Sequence, residues 1–470
     1  MSNSSSSIAS TAAQQAFVTA LEGKVNSTFS SQLDGEFSVV GYPAGFHWGI
    51  QFGPNNFYNQ AALNDLDLQL EMASNGVLAL GGSNFSTLYM QVLNNVTYVI
   101  SDADNAVIQQ QSQAAASQIS SVITEWENNF GTISSTQMAT AVPPTKLGYI
   151  ETQVQTLWGG DISKIPSSLA TFENAYQSYQ LAAAQMNTIM QASAAANTRL
   201  AAAKANTQNP TASNGGLQTG ATAFYVGYVG MPAQTVINSG LQTSTNQVSV
   251  SLSLSDFSGS SSNLSVNGGA QGTLDVADIF TVSVGGSASF DLSKYTSSSS
   301  SVTMTITYPG ITIVPAAPLN LNGAGQMGWY DNLILAEAVN NMGKGRQVTG
   351  YQVQGSQFPA SFFGPGGGFS RLKTYVISQI PTTSITFTNA DSSRVQSDFH
   401  EQSSVSVDLF GFIPIGGGSQ SYSVQSVDAS SSSGSVTVML APAVQQGTVP
   451  SNQATAFVLG GVASYPPNNG

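Results

Sequence analysis

The chain has 470 residues, enough for two or three domains, and 41% of them are hydrophobic, which is ordinary for a globular protein. Only 7% are Asp, Glu, Lys or Arg and the formal net charge is −13, a balance that excludes nucleic acid as a partner because phosphate binding needs a basic stripe. The absence of cysteine removes disulfides, thiol nucleophiles and cysteine-type zinc sites together. Water-facing surface must then be built from Ser, Thr, Asn, Gln and Gly, and surfaces of that kind repel one another weakly.

The first residues, MSNSSSSIASTAAQQAF, contain neither a basic stretch nor an apolar core of a secretory signal. Release by a leaderless route, as a protein soluble before any membrane contact, is therefore the expectation. No run of about 18 apolar residues predicts a transmembrane helix. Residues 1–206 read as a mainly α-helical domain, a bundle of long helices. Over residues 8–33, Phe17, Leu21, Val25, Phe29 and Leu33 recur at i+4. Residues 37–100 are mixed, with glycine and aromatic punctuation, and His47 in Gly45-Phe46-His47-Trp48 fits a packing role.

A helix over residues 102–129 carries Ile108, Ala115, Ile119, Val122 and Trp126 on one side. A longer one after Pro166 carries Leu169, Phe172, Tyr176, Tyr179, Ala183, Met186 and Met190 at alternating gaps of three and four, and extends to Leu200. The three helical stripes are expected to cover one another. The carboxylates Asp65 with Asp67, Asp102 with Asp104, and Glu125 with Glu127 stand two apart, a spacing that does not share a helix face, so helix N-terminal charge or solvent exposure accounts for them. Pro210 and Gly215-Gly216 end the helical part in a linker over residues 207–220.

Beyond the linker the hydrophobic period changes to two. Val248, Val250, Leu252 and Leu254 alternate with serines, and Val302, Met304 and Ile306 alternate with threonines. A segment beginning at Asp278 (DIFTVSVGGSASFDL) returns at Asp408 (DLFGFIPIGGGSQSYSV), and both copies run through a serine tract into Val-Thr-Met or Val-Thr-Val. The fold expected is α+β and multidomain: a helical bundle, then a mainly antiparallel β region, sandwich-like or merged, built from two related copies. Residues 221–320 make the first β module, 321–370 a helix and glycine-rich connector, and 371–470 the second module. In the connector, residues 358–369 (FPASFFGPGGGF) form an apolar glycine loop that would be a sticky patch if exposed.

Chemistry is sparse. The two histidines, His47 and His400, stand far apart, and His400 beside Asp398 and Glu401 fits a solvated polar turn. Gly323-Ala324-Gly325-Gln326-Met327-Gly328 matches GxGxxG, but residues 319–322 are too short and polar for a buried strand and no acid stands at the ribose position. It reads as a turn leading into a helix over residues 329–342. No catalytic, cofactor-binding or metal-binding residue is assigned, and a non-enzymatic protein is expected. The amphipathic strands predict a membrane-active, oligomerising protein of the pore-forming type, with Val248, Val250, Leu252, Leu254, Val282 and Val284 as insertion candidates. Lys344, Arg346, Phe362, Phe363, Arg371 and Lys373 are candidates for contact with a lipid membrane or cell-surface receptor. A self-assembling structural or adhesive protein, as a filament, coat or particle subunit, is the alternative.

Overall fold

A computed structural model describes residues 4–46, 58–72, 77–243, 245–258, 261–275, 280–284, 288–289, 295, 300–322, 327–400, 405–409, 413–415, 422–430, 434–442 and 456–467. It is a mixed fold with a long helical region and several antiparallel sheets. Among the described residues no helix is long and apolar enough to cross a membrane. Contacts divide the chain into two units, Met1–Asn94 with Ala203–Leu333 and Gln357–Gly470 in the first, Asn95–Ala202 with Ile334–Ser356 in the second. This division does not follow the expected boundaries: the N-terminal segment belongs with the β region.

In the first unit, helix α1 (Ser4–Phe29) carries the i+4 stripe. Its Phe17, Leu21, Val25 and Phe29 are buried, yet the surface they meet is a sheet rather than the other helices. That sheet, eleven-stranded among the described residues, is antiparallel throughout. Its order runs Gly269–Asp275, Ser261–Val266, β1 (Val248–Ser258), β2 (Ser301–Tyr308), β3 (Thr382–Thr388), β4 (Ser435–Pro442), Tyr422–Ser430, Val405–Leu409, Phe280–Val284 and Ala288–Ser289, with Ile413–Ile415 paired to Val405–Leu409. Strands of the two repeat copies therefore enter one sheet. Phe280–Val284 of the first pairs with Val405–Leu409 beside the second, and β2 and β4, the Val-Thr strands of the copies, flank β3 on either side. The sandwich-like arrangement of two modules gives way to this merged sheet because each copy leaves an edge that the other completes.

A second sheet joins Thr312–Pro315, Arg371–Ser378, Leu68–Met72, Leu78–Asn84, Phe37–Phe46 and Ala456–Ser464 in that order, and a further pairing of Arg371–Ser378 with Ala456–Ser464 closes five of its strands into a ring. Glycine is required where the ring tightens. A Cβ on Gly460 would lie 2.1 Å from the Ser38 carbonyl oxygen, and one on Gly461 2.0 Å from that of Thr374. One hydrophobic core serves α1, the large sheet and the edge of the ring, through residues such as Phe37, Val376, Phe457 and Leu459.

The second unit is mainly helical. Its α2 (Asp102–Phe130) is capped by the Ser101 hydroxyl, which accepts from the Asp104 amide at 3.0 Å, and Asp102 and Asp104 sit in its first turn as the helix dipole favours. Val122 and Trp126 of α2, Ile150 and Val154 of α3 (Lys146–Trp158) and Phe172 and Tyr176 of the long α4 (Ala170–Gln208) share one core. The latter helix has neither Gly nor Pro within it and ends two residues before Pro210. Met190, placed on the expected seam, is 53% exposed, so the stripe is covered only in part.

Candidate functional site: the hydroxyl face of the large sheet

Strict alternation gives β1 to β4 one buried and one outward face. Val250, Leu252, Leu254, Met304, Ile306, Ile385, Phe387, Val436 and Val438 point inward and are at most 5% exposed. Between them stand the outward side chains, each with part of its surface open: Ser249, Ser251, Ser253 and Ser255 on β1, Ser301, Thr303, Thr305 and Thr307 on β2, Thr382, Ser384, Thr386 and Thr388 on β3, Ser435, Thr437, Met439 and Ala441 on β4. Fourteen of these sixteen are hydroxyl residues and none is ionisable.

The register aligns them into rows across the strands. Ser253, Thr303, Thr386 and Thr437 form one row, Ser255, Ser301, Thr388 and Ser435 a second, and Ser251, Thr305, Ser384 and Met439 a third. Hydroxyls of adjacent strands are hydrogen-bonded within rows: Ser249 to Thr307 at 2.8 Å, Ser251 to Thr305 at 2.9 Å, Ser253 to Thr303 at 3.0 Å and Thr386 to Thr437 at 3.0 Å. Charge begins only at the margin, with Asp428 one strand beyond Thr437 and Asp256 at the end of β1. With strands about 4.8 Å apart and outward residues about 6.7 Å apart along each, the face is a regular two-dimensional array of groups that both donate and accept.

Four of the six insertion candidates lie behind this face. Val248, Val250, Leu252 and Leu254 are core residues, and Val282 and Val284 belong to the Phe280–Val284 strand. The six contact candidates divide between the two units. Lys344 is exposed and Arg346 holds Asp102 at 2.6 Å in the second unit. In the first unit Lys373 holds Asp34 at 3.1 Å beside a cleft of about 750 Å³ that Glu36, Asn332 and Tyr465 also line. Phe363 is buried and Phe362 half-buried, packed with Phe358 and Phe369, so the glycine loop is not the sticky patch its composition suggests. Arg371 is 4% exposed, donates through Nη1 to the Ala316 and Leu372 carbonyls, and lies 5.8 Å from the Phe85 ring centre. Aromatic and backbone partners, reached only by tertiary folding, draw both away from the surface.

The carboxylate pairs resolve differently. Glu127 receives Lys146 at 2.6 Å. Asp67 is neither solvent-exposed nor at a helix N-terminus: it follows the Gln60–Leu66 helix and is completely buried. Its oxygens accept from the Ser86 amide at 2.9 Å, the Ser86 hydroxyl, the Tyr225 hydroxyl at 2.9 Å and the Tyr228 hydroxyl. Burial raises its pKa, the four donors pulling the other way, and it pushes the Tyr228 hydroxyl well above the usual tyrosine range. Every acceptor direction is occupied by protein donors, which suits a knot tying three distant segments rather than a reacting group. No sequence pattern joins Asp67 to Tyr225 and Tyr228.

Asp398 accepts from the Tyr295 hydroxyl, and Arg394 lies 5.7 Å from that ring's centre. His47, the side chain of His400, and Gly323 to Gln326 of the GxGxxG lie outside the described residues. Gly328 at its end has φ +86° and approaches Asn320 so closely that a Cβ would sit 2.0 Å from its carbonyl oxygen. The helix that follows is Asn332–Asn340, entered from a turn in which the Trp329 amide returns to Leu319. Among the described residues no group of three or more His, Cys, Asp and Glu is placed to hold a metal. No protein-family model, curated protein or solved structure matches this chain.

Proposed function

We propose that this chain is a non-enzymatic adhesive protein that engages extended surfaces through the hydroxyl face of its large sheet. The observation that carries this reading is the sorting of side chains on β1 to β4: buried apolar residues alternate with an outward set of fourteen hydroxyls in register, in which Met439 and Ala441 are the two apolar members and no ion stands. A face without charge neither repels a like surface nor demands a counter-ion. Little has to move for it to act, since the hydroxyls are already partly open to solvent. The test is adhesion of the folded chain to immobilised cells, insoluble polymers and lipid vesicles. Replacing Thr303 and Thr386 with lysine should weaken adhesion at least tenfold without changing the circular dichroism spectrum or the thermal midpoint by more than a few degrees.

One observation favours membrane activity as a second reading. The apolar face of β1 and the two strands beside it is covered by α1, a separate helix, so displacement of α1 would turn strands of alternating polarity outward at that end of the sheet. Against it, β2, β3 and β4 have 8, 7 and 8 residues, shorter than the roughly nine to eleven of a membrane strand. Dye release from vesicles that survives the lysine pair at Thr303 and Thr386 would favour insertion over adhesion.

A further inference from the structure

From the chemistry of the hydroxyl face we infer that its occupant is a neutral polysaccharide, presented as an insoluble, repeating surface. The inference rests on the adhesive reading and names the class of target. Charge is the first argument. Asp428 and Asp256 mark the margins and no ionisable group lies on the rows between, so an anionic or cationic polymer would lose its hydration on the face and find no counter-charge in return. Hydrogen-bond character points to the same class of occupant. Each Ser or Thr hydroxyl donates once and accepts twice, and its best complement is a group of the same kind. Sugar hydroxyls meet that condition along their whole length, whereas a backbone N–H or C=O meets half of it.

Area supplies the third. Four strands about 4.8 Å apart, with about seven residues each rising about 3.3 Å, offer on the order of 400 Å². A stable protein interface needs about 800 Å² per partner and aromatic or arginine anchors at its centre. The centre here is Thr303, Thr305, Ser384 and Thr386, so a second copy of the chain is a poor occupant. A polymer is not bound by that limit, because many weak exchanges of water for sugar hydroxyls add along a repeating surface. Threonine methyls and Met439, 37% exposed at the end of one row, offer the apolar contact that the C–H faces of sugar rings need.

The experiment is co-sedimentation of the full chain with cellulose and chitin, with the charged polymers alginate and chitosan, and with phosphatidylcholine vesicles, at low and high salt. Expected are retention on one or both neutral polymers, a change of less than twofold with salt, and weak retention on the charged pair. Lysine at Thr303 and Thr386 should reduce retention at least tenfold. Valine at the same positions, which keeps shape and strand preference, should reduce it severalfold with the thermal midpoint preserved. Retention on vesicles or self-sedimentation alone, lost with the lysines, would overturn the polysaccharide while leaving the adhesive reading standing. Retention on any surface that ignores both variants, or no retention at all, would overturn the two together.

Discussion

Asp67 shows how much a single side chain can carry. Removing it by Asp67→Ala leaves the hydroxyls of Tyr228 and Ser86 buried, and that of the half-buried Tyr225, without this acceptor, and the expected loss is about 3 kcal/mol or more in urea unfolding. Its titration adds a second expectation with a definite sign. Burial holds the pKa in the fold above the usual 3.8, so the stability owed to this group is fully present below the unfolded value and is lost as pH rises through the folded one. The advantage of wild type over Asp67→Asn, which does not titrate, is therefore expected to shrink from acid towards neutral pH. Unfolding curves of both proteins across that interval check it; an advantage that grows with pH would mean that the four donors outweigh burial.

At the scale of elements, alternation is legible in the residue order alone. The Val-Ser and Val-Thr strands lie where period two places them, while the Ser101 cap of α2 is a finding of the structure. Ser101→Ala is expected to cost about 1 kcal/mol, read from the chemical-denaturation midpoint. Leu252→Ala, at a position 3% exposed in the shared core, should cost about 2–5 kcal/mol. A charge at Val250 or Leu252 would unfold the sheet, so loss of activity there could not distinguish insertion from folding. Less legible are the glycine-aromatic loop and Arg371. Their composition is that of a contact surface, and only the rings of Phe85, Phe358 and Phe369 around them make them interior. The Asp67 knot leaves no local signal, because its donors stand 19, 158 and 161 residues away.

For the whole molecule the scarcity of charge has a measurable consequence. Ion pairs among the described residues include Lys146–Glu127, Lys164–Asp161, Arg346–Asp102 and Lys373–Asp34, each with at least one partner well exposed or both partly so. Such pairs contribute little, whereas a net charge of −13 repels itself. Stability should hold or rise slightly as salt increases from about 0.02 to 0.5 M, because screening acts mainly on the repulsion. A clear fall in the unfolding midpoint over that range would show that the pairs matter more than their exposure suggests.

The sequence by itself determined which side chain of each strand faces which way, since successive residues of a strand point to opposite sides. It also determined that the polar side would be hydroxyl rather than ionic, since so few ions are available. Tertiary structure alone decided that both repeat copies share a single sheet and that α1, more than two hundred residues upstream of β1, covers the apolar face of β1 and its neighbours. The reason is physical: side-chain direction is a local property of the backbone, whereas pairing between distant strands is chosen by which edges and apolar faces remain to be covered once the chain has collapsed.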